Sequence, residues 1–240
     1  MSLLELQGVC KRVVHGGRGV VILDDASLSI ETGELVAVWG MRGSGRTTLL
    51  RVAAGIDAPD SGSVRFDGRD LAEHGEQILG REISYCQKSF RSTQGQAAID
   101  EVIVGLLVNG VSPAQARVRA REALQRVDGE RFGGRRLAEL DDGERIRLSI
   151  ARALSLQPRL LVIDEPVSGV DLLERDGILL LLRSIADEGI AVLMTVGDLT
   201  GLSGADRSLT IGDGELTGST QRELAPVLPL RPAAGLQASG

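Results

Sequence analysis

The sequence predicts an α/β fold in which a mainly parallel sheet is covered by helices. Short runs rich in Leu, Val and Ile alternate with helix-like segments along most of the chain, and this alternation is typical of parallel strands joined by helical crossovers. One longer helical stretch, from about residue 97 to 156, interrupts the alternation. With 240 residues, 42% of them hydrophobic, the chain is long enough to bury the core that such a sheet needs.

Short apolar runs mark the strands in order along the chain. They predict strands at 3–9, 20–23, 27–30, 35–39, 64–66, 83–86, 159–163, 190–194 and 207–211, followed by a short last strand after the turn at 212–214. A helix is predicted near 171–187. Ser112 and Pro113 predict another helix start, because Ser is a favoured N-cap and Pro is tolerated in the first turn. The segment 226–240, rich in Pro, Ala, Gly and Leu, is expected to be a disordered tail.

Composition and charge argue against several classes of protein. A net charge of −6 and a pI near 5.1 disfavour nucleic-acid binding, which normally needs a basic surface. The two cysteines, Cys10 and Cys86, give neither a disulfide framework nor the spacing of a metal site. The longest aliphatic run, Ile178 to Leu182, is far shorter than the ~20 residues of a membrane span. Any membrane role is therefore expected to come through a partner protein.

A Gly-rich segment between a strand and a helix predicts a phosphate-binding loop, since this arrangement turns backbone N–H groups toward a polyphosphate. The predicted nucleotide-binding residues are Gly40, Arg42, Gly43, Ser44, Gly45, Arg46, Thr47 and Thr48. Such loops normally end in Gly-Lys-Ser or Gly-Lys-Thr, but Arg46 stands at the lysine position. Because a guanidinium is planar and bulkier than a compact ammonium, we expect Arg46 to contact phosphate from a displaced position and to fit the transition state poorly.

A second motif lies at the end of the strand 159–163. There the adjacent carboxylates Asp164 and Glu165 follow a buried apolar run and precede Pro166. Two acids at a strand end can simply face solvent, but their occurrence together with the Gly-rich loop favours a role in metal–nucleotide chemistry.

Five segments together make the chain resemble the ATP-binding subunit of an ABC transporter over residues 3–217. They are the loop 40–48, Tyr85-Cys86-Gln87, the signature region 140–154, the strand ending in Asp164-Glu165-Pro166, and the turn Ser168-Gly169-Val170-Asp171. Gly110-Val111-Ser112-Pro113 looks most like the lipoprotein-releasing and macrolide-exporting branch. The resemblance implies a P-loop NTPase fold of ABC type, with an N-terminal antiparallel β-subdomain and a helical subdomain at about 88–157, in one ATP-binding domain spanning 1–225.

The resemblance also implies ATP and Mg²⁺ as cofactors and assigns roles to single residues. Thr47, Gln87 and Asp164 would bind Mg²⁺, and Glu165 would orient or deprotonate the attacking water. The signature residues Asp141, Asp142, Gly143 and Glu144 would face the γ-phosphate held by a second subunit. Asp171 would lie in the loop at the dimer interface, and Gly197 stands at the switch position, where the family has a histidine.

Further departures from the family pattern predict weakened catalysis. Asp141 and Asp142 replace a serine and a glycine of the signature, and a carboxylate ~4 Å from a phosphate is repelled by ~4 kcal/mol at an effective dielectric constant near 20. Gly197 offers no imidazole. Val13 stands where an aromatic usually stacks on adenine. His15 could substitute if the loop shifted by two residues, although a solvated histidine is the simpler interpretation.

The sequence therefore predicts an ABC transporter ATP-binding subunit that couples ATP binding and slow hydrolysis to transport by a partner permease. We expect a homodimer or a heterodimer with a related subunit, located in the cytoplasm on the inner face of the cell membrane. The alternative is a catalytically inactive regulatory subunit paired with an active ATPase. Intact Asp164 and Glu165 favour the enzyme, and the departures favour the alternative. The soluble ABC proteins of translation and DNA repair are disfavoured, because 240 residues leave no room for a fused second unit or a long coiled-coil insertion.

Overall fold

The computed structural model describes residues 2–15, 18–86 and 96–221. Within them the strands and helices follow in the order β1 (Leu4–His15), β2 (Arg18–Ile30), β3 (Leu35–Gly40), α1 (Arg46–Ala53), β4 (Ser61–Phe66), β5 (Arg69–Asp70), α2 (Leu71–Ile78), β6 (Ile83–Cys86), α3 (Ala98–Val108), α4 (Pro113–Arg126), α5 (Asp142–Ser155), β7 (Leu160–Ile163), α6 (Leu172–Asp187), β8 (Ala191–Val196), β9 (Arg207–Gly212) and β10 (Glu215–Gln221). Short 3₁₀ helices occupy Leu137–Glu139 and Leu199–Leu202.

The strands of the described residues form two sheets. A four-stranded antiparallel sheet has the order β2-β1-β4-β5, and a six-stranded sheet has the order β10-β9-β3-β8-β7-β6. In the six-stranded sheet every neighbouring pair is parallel except β10 with β9. The predicted α/β fold, with a mainly parallel core and an N-terminal antiparallel sheet, is confirmed.

Side chains of the six-stranded sheet alternate between two hydrophobic cores. On β3, Leu35 and Ala37 belong to the core that also contains residues of α3 to α6, whereas Val36 and Val38 belong to the core that also contains residues of α1, α2 and the antiparallel sheet. β7 and β8 show the same alternation. Because both faces are covered, the central strands are apolar along most of their length. The polar residues of interest lie where β3, β7 and β8 end, which places them together at the carboxyl edge of the sheet.

The structure differs from the predicted elements in three places. The runs 20–23 and 27–30 belong to one strand, β2, because Asp25 takes a left-handed φ of 51° beside a register shift instead of forming a turn. Helix α2 was not predicted, and its N-cap is Asp70, whose side chain accepts from the Ala72 N–H. The helical stretch 97–156 consists of α3, α4 and α5 with turns between them, and Ser112 is the N-cap of α4 as expected.

Part of the predicted chain lies outside the described residues. Gln87, the start of the proposed helical subdomain at 88–95 and the tail 226–240 belong to this part, so the domain boundaries remain predictions. Among the described helices, none combines the length and the apolar character needed to cross a membrane.

Candidate nucleotide site

The Gly-rich loop connects β3 to α1 and depends on glycine at three positions. Gly43 and Gly45 have φ angles of 87° and 101°, in the left-handed region that favours glycine. A Cβ at Gly40 would lie 2.5 Å from Ser44 Oγ, and one at Gly45 would lie 2.7 Å from the Ile22 carbonyl oxygen. The loop therefore keeps the narrow backbone path that a polyphosphate requires, and α1 begins directly after it at Arg46.

The loop also contains a polar group that fits a phosphate ligand. Ser44 Oγ is buried, and no hydrogen-bond partner is found for it in the part of the chain that the structure describes. A buried hydroxyl without a partner is costly unless a ligand or water satisfies it. Together with the helix N-terminus that follows, this orphaned group indicates that the loop can hold phosphate oxygens. Arg42 and Thr47 are exposed beside it, and Thr48 is half-buried.

A chain of hydroxyl contacts holds Asp164 at the end of β7. Thr47 Oγ1 donates to Asp164 Oδ2 at 2.7 Å, and Thr195 Oγ1 donates to Asp164 Oδ1 at 2.5 Å. Thr195 also accepts from the Glu165 backbone N–H at 3.0 Å. The proton of Thr47 points to the carboxylate, so the lone pairs of its hydroxyl are directed elsewhere and suit a hard cation such as Mg²⁺.

Thr195 was missed by the sequence analysis. It is fully buried on β8, and its hydroxyl fixes both the Asp164 side chain and the Glu165 backbone. The available signal was a polar residue inside the otherwise apolar run Ala191–Val196. Glu165 itself takes a left-handed φ of 46°, an uncommon conformation for a non-glycine residue that recurs at functional sites.

The guanidinium of Arg46 lies against Glu165. Arg46 Nη2 is 2.6 Å from Glu165 Oε1, and Arg46 Nη1 donates to the Val196 carbonyl oxygen at 2.5 Å. The Arg46 side chain is 9% exposed and the Glu165 side chain 24%. The side chain that replaces the loop lysine therefore reaches across the site to the ends of β7 and β8.

Gly197 borders this ion pair. A Cβ built at Gly197 would be 3.6 Å from Arg46 Nη1 and 3.7 Å from Glu165 Oε1. The space next to the switch position is thus filled by the guanidinium and the carboxylate. The next residue, Asp198, accepts from Arg175 and Thr200 side chains at 2.5 Å each, and these hydrogen bonds, that of Thr200 first, lower the pKa of Asp198 to about 2.

The signature residues lie at the start of α5. Asp141 is the N-cap: its Oδ1 accepts from the Glu144 N–H at 2.8 Å, while Glu144 Oε2 accepts from the Asp141 N–H at 3.2 Å. This reciprocal pair is a capping box. Asp142 is exposed in the first turn, where the helix dipole favours an acid. The two acids therefore have a structural function within the chain, in addition to any position facing a second subunit.

Glu174 on α6 holds the signature helix from the other side. Arg147 Nε is 2.5 Å from Glu174 Oε1, and Arg147 is only 6% exposed. A Cβ at Gly143 would lie 2.3 Å from Glu174 Cγ, so only glycine fits there. Asp171 is the N-cap of α6, and it accepts from the backbone N–H of Glu174 at 3.0 Å.

Three candidate residues remain, two of them on β1. Val13 is on β1 and is 39% exposed, His15 ends the same strand, and Gln87 falls outside the described residues. Tyr85, two residues before Gln87, is half-buried; burial, followed by the negative charge of Asp164, raises its pKa to about 12.

Comparisons with known proteins agree with this geometry. Residues 23–168, more than half of the chain, match the protein family described as ABC transporter. The lipoprotein-releasing system ATP-binding protein LolD of Chromohalobacter salexigens is 36% identical over 220 residues, which cover 90% of this chain and 93% of that protein.

Solved structures show the same architecture. Two dimeric structures of the ATP-binding cassette MJ0796, one of them bound to ADP and Pi, match with a TM-score of 0.82 at 26% identity, over 91% of this chain and 98% of theirs. A nucleotide-free ATP-binding cassette from an ABC transporter matches with a TM-score of 0.80 at 21% identity, over 93% of this chain and 92% of its own, and supports the fold alone. From the family match, the LolD-like sequence and the loop with its paired carboxylates, we conclude that the chain belongs to the ABC transporter family as an ATP-binding subunit.

Proposed function

We propose that this subunit couples ATP binding and slow ATP hydrolysis to transport by a partner permease. The observation that carries the proposal is the intact connection between the loop and the end of β7, where Thr47 Oγ1 contacts Asp164 and Glu165 follows directly. A loop that binds no phosphate does not require the glycine path at Gly40 and Gly45 or a buried hydroxyl at Ser44.

The residues of the site fit Mg-ATP, and a role can be assigned to each of them. Thr47 and Asp164, with Gln87 by resemblance, would hold Mg²⁺, and the backbone of the loop would bind the phosphates. The metal would neutralise charge that develops on the transferred phosphoryl oxygens. Glu165 would accept the proton of the attacking water, for which its carboxylate must first leave Arg46. This requirement, together with the absent imidazole at Gly197, predicts slow turnover.

We also propose that the subunit acts as a dimer. MJ0796 was solved as a dimer, and the exposed Asp141 and Asp142 at the start of α5 are free of other elements that would bury them. A second copy or a related subunit would bring this helix start opposite the loop 40–48, with Asp171 at the interface. We place the assembly in the cytoplasm, on the inner face of the cell membrane.

An apolar groove beside β6 suits the permease. The groove, of about 490 Å³, is lined by side chains that include Tyr85, Val104, Val108 and Leu156. Val104 is 47% exposed and Val108 81%, which is unusual for aliphatic side chains on neighbouring turns. β6 ends directly before Gln87, which the resemblance assigns to Mg²⁺, so a protein seated in the groove would contact the strand that precedes this residue. Val108→Asp should abolish co-purification with the permease and leave ATP binding by the isolated chain unchanged.

The alternative function is a regulatory subunit without ATPase activity. One observation favours it: the carboxylate that must accept the water proton is already paired with Arg46. In this case the chain would bind nucleotide, and a partner ATPase would supply hydrolysis.

Phosphate release by the wild type and by Glu165→Gln separates the two functions. If the subunit is an enzyme, the wild type will release phosphate at a rate well below the ~10 s⁻¹ typical of enzymes but measurably faster than Glu165→Gln. If it is a regulatory subunit, the wild type and Glu165→Gln will show equal background rates. Glu82→Gln is a matched control, because Glu82 also pairs with an arginine, Arg69, at 2.7 Å and is similarly exposed, at 28%. It lies at the other end of β6 from the site, so its variant should keep the wild-type rate. Equal rates for wild type and Glu165→Gln, measured with the permease present, would favour the regulatory function.

A further inference from the structure

We propose that Arg46 and Gly197 form a compensating pair, in which the guanidinium fills the space that a side chain at position 197 would need and holds Glu165 until a nucleotide phosphate competes for Arg46. The pairing of Arg46 with Gly197 applies to the nucleotide-free protein. The release of Glu165 by nucleotide rests on the proposed function.

The limited space around Gly197 supports the pairing. The distances of 3.6 Å and 3.7 Å from a Cβ at Gly197 to Arg46 Nη1 and Glu165 Oε1 are ordinary van der Waals contacts. Alanine therefore fits at this position, but a ring extending from the Cβ toward the site would overlap the ion pair. The backbone of Gly197 is outside the left-handed region, so the backbone itself does not require glycine. What excludes a larger side chain is the guanidinium of Arg46 together with the Glu165 carboxylate that it holds.

The acceptors that hold the Arg46 guanidinium also support the pairing. Arg46 reaches the end of β8 by donating to the Val196 carbonyl oxygen, and it reaches the end of β7 through Glu165. A planar group with several donors can satisfy a carbonyl and a carboxylate at once, whereas the single ammonium of a lysine cannot reproduce that fork. Because Arg46 is 8% exposed, the guanidinium needs these acceptors for as long as no other anion is near.

The consequence concerns Glu165. A carboxylate in a close, partly buried pair with a guanidinium is held in one position and shielded from a water molecule that it should activate. A phosphate placed in the loop would offer Arg46 a competing anion next to its own backbone, and Glu165 would then lose the guanidinium that blocks it from accepting a proton. Arg46 is in this sense a positioning residue, which makes the state of Glu165 depend on nucleotide.

A thermal-denaturation cycle on the nucleotide-free chain tests the pairing. Gly197→His should lower the Tm by at least ~3 °C relative to Gly197→Ala, because the ring displaces the guanidinium. In the Arg46→Lys background the Tm difference between Gly197→His and Gly197→Ala should be less than ~1 °C, since the shorter, unforked lysine side chain leaves the space next to position 197 empty. Equal penalties in both backgrounds would overturn the pairing, as would a Gly197→His variant as stable as Gly197→Ala.

A binding experiment tests the release of Glu165. Affinity for a non-hydrolysable ATP analogue is measured by calorimetry, so that turnover cannot contribute. Glu165→Gln should bind the analogue ~10-fold more tightly than the wild type, and the control Glu82→Gln should stay within about twofold.

Removal of a negative charge near phosphate would also strengthen binding without any role for Arg46. The Arg46→Gln background separates the two causes: there Glu165→Gln should change the affinity less than about twofold if it acts through the pair. A full ~10-fold gain in this background, or no gain in the wild-type background, would overturn the release of Glu165. If no variant binds the analogue, the proposed function fails, and the thermal cycle still decides the pairing.

Discussion

Two regions of the chain carry residues that depart from the family pattern, the loop side around Arg46 and the signature side at the start of α5, and these residues are held in different ways. On the loop side, Arg46, Glu165 and Gly197 come from three separate segments and contact one another. On the signature side, Asp141 and Glu144 belong to a single helical turn and satisfy each other's backbone groups.

This difference indicates how the two sides respond to substitution. A change to Arg46 alone removes its contacts with Glu165 and the Val196 carbonyl, so the loop side should tolerate only coordinated changes. The capping box needs only an acceptor at position 141, and serine supplies one. The signature side should therefore tolerate a single replacement at position 141 that keeps an acceptor there.

The largest expected effect is the loss of stability on replacing Glu174, and it tests whether the signature side depends on contacts outside its capping box. Glu174→Ala leaves the buried Arg147 without its nearest carboxylate, and loss of one partner of a buried pair costs ~3 kcal/mol of unfolding free energy. Glu174→Gln, which keeps a hydrogen-bond acceptor, should lose less. Urea denaturation measures both. A loss below ~1 kcal/mol for the alanine variant would show that the remaining contacts of Arg147, to Val127 and Asp128, suffice.

The next effect compares one acid from each side. Asp164→Ala removes the acceptor of the Thr47 and Thr195 hydroxyls, and a buried group left without its partner costs about 1–3 kcal/mol. Asp142→Ala, at an exposed helix start, should cost no more than ~0.5 kcal/mol. Denaturation curves of the two variants provide the comparison, which fails if Asp142→Ala is the more destabilised of the two.

A smaller effect on folding, with a larger one on assembly, is expected at Asp141. Asp141→Ala should lose ~1 kcal/mol through the missing cap, and Asp141→Ser a few tenths. Combined with Asp142→Gly, the serine variant removes two negative charges from the place where a partner's phosphate would lie, so ATP-dependent dimerisation should strengthen. Analytical ultracentrifugation with and without Mg-ATP measures the dimer fraction. An ATP-dependent dimer fraction equal to that of the wild type would mean that these acids do not face nucleotide.

The smallest expected effect is a dependence on pH next to the switch position. The pKa of Asp198 is lowered to about 2 by hydrogen bonds from Thr200 and Arg175, so its contribution to stability is present above the ordinary pKa near 3.9. That contribution is lost as the pH falls from about 4 to about 2. The Tm difference between wild type and Asp198→Asn should shrink over this range, and a constant difference would contradict the assignment.

The fold could be predicted from sequence wherever apolar periodicity and turn residues agreed. The alternation of strands and helices was sufficient for the six-stranded core, whereas β2 was predicted as two strands because the polar residues between its apolar runs do not reveal a bulge with left-handed φ at Asp25. Helix α2 was overlooked because Gly75 and few apolar residues weaken its helical pattern.

The site was predictable in its parts and not in its connections. The loop and the carboxylates follow from short motifs, and the Asp141–Glu144 capping box could have been read from their spacing of three residues. The contact of Arg46 with Glu165 and the Val196 carbonyl could not, because it joins segments as far as 150 residues apart along the chain and depends on side-chain direction.

The central claim is that this subunit binds ATP in a loop whose cation is already engaged, with Val13 at the position where the family has an aromatic for the adenine. The affinity of the wild-type chain for Mg-ATP tests it most directly. Trp39, the only tryptophan, directly precedes Gly40, so its fluorescence should report occupancy of the loop. Loss of stacking removes about 0.5–1.5 kcal/mol, and competition from Glu165 weakens binding further. We predict a Kd between about 100 µM and a few mM. Saturation at ~1 µM would contradict the engaged loop, and no binding at ~10 mM would contradict the ATP-binding function itself.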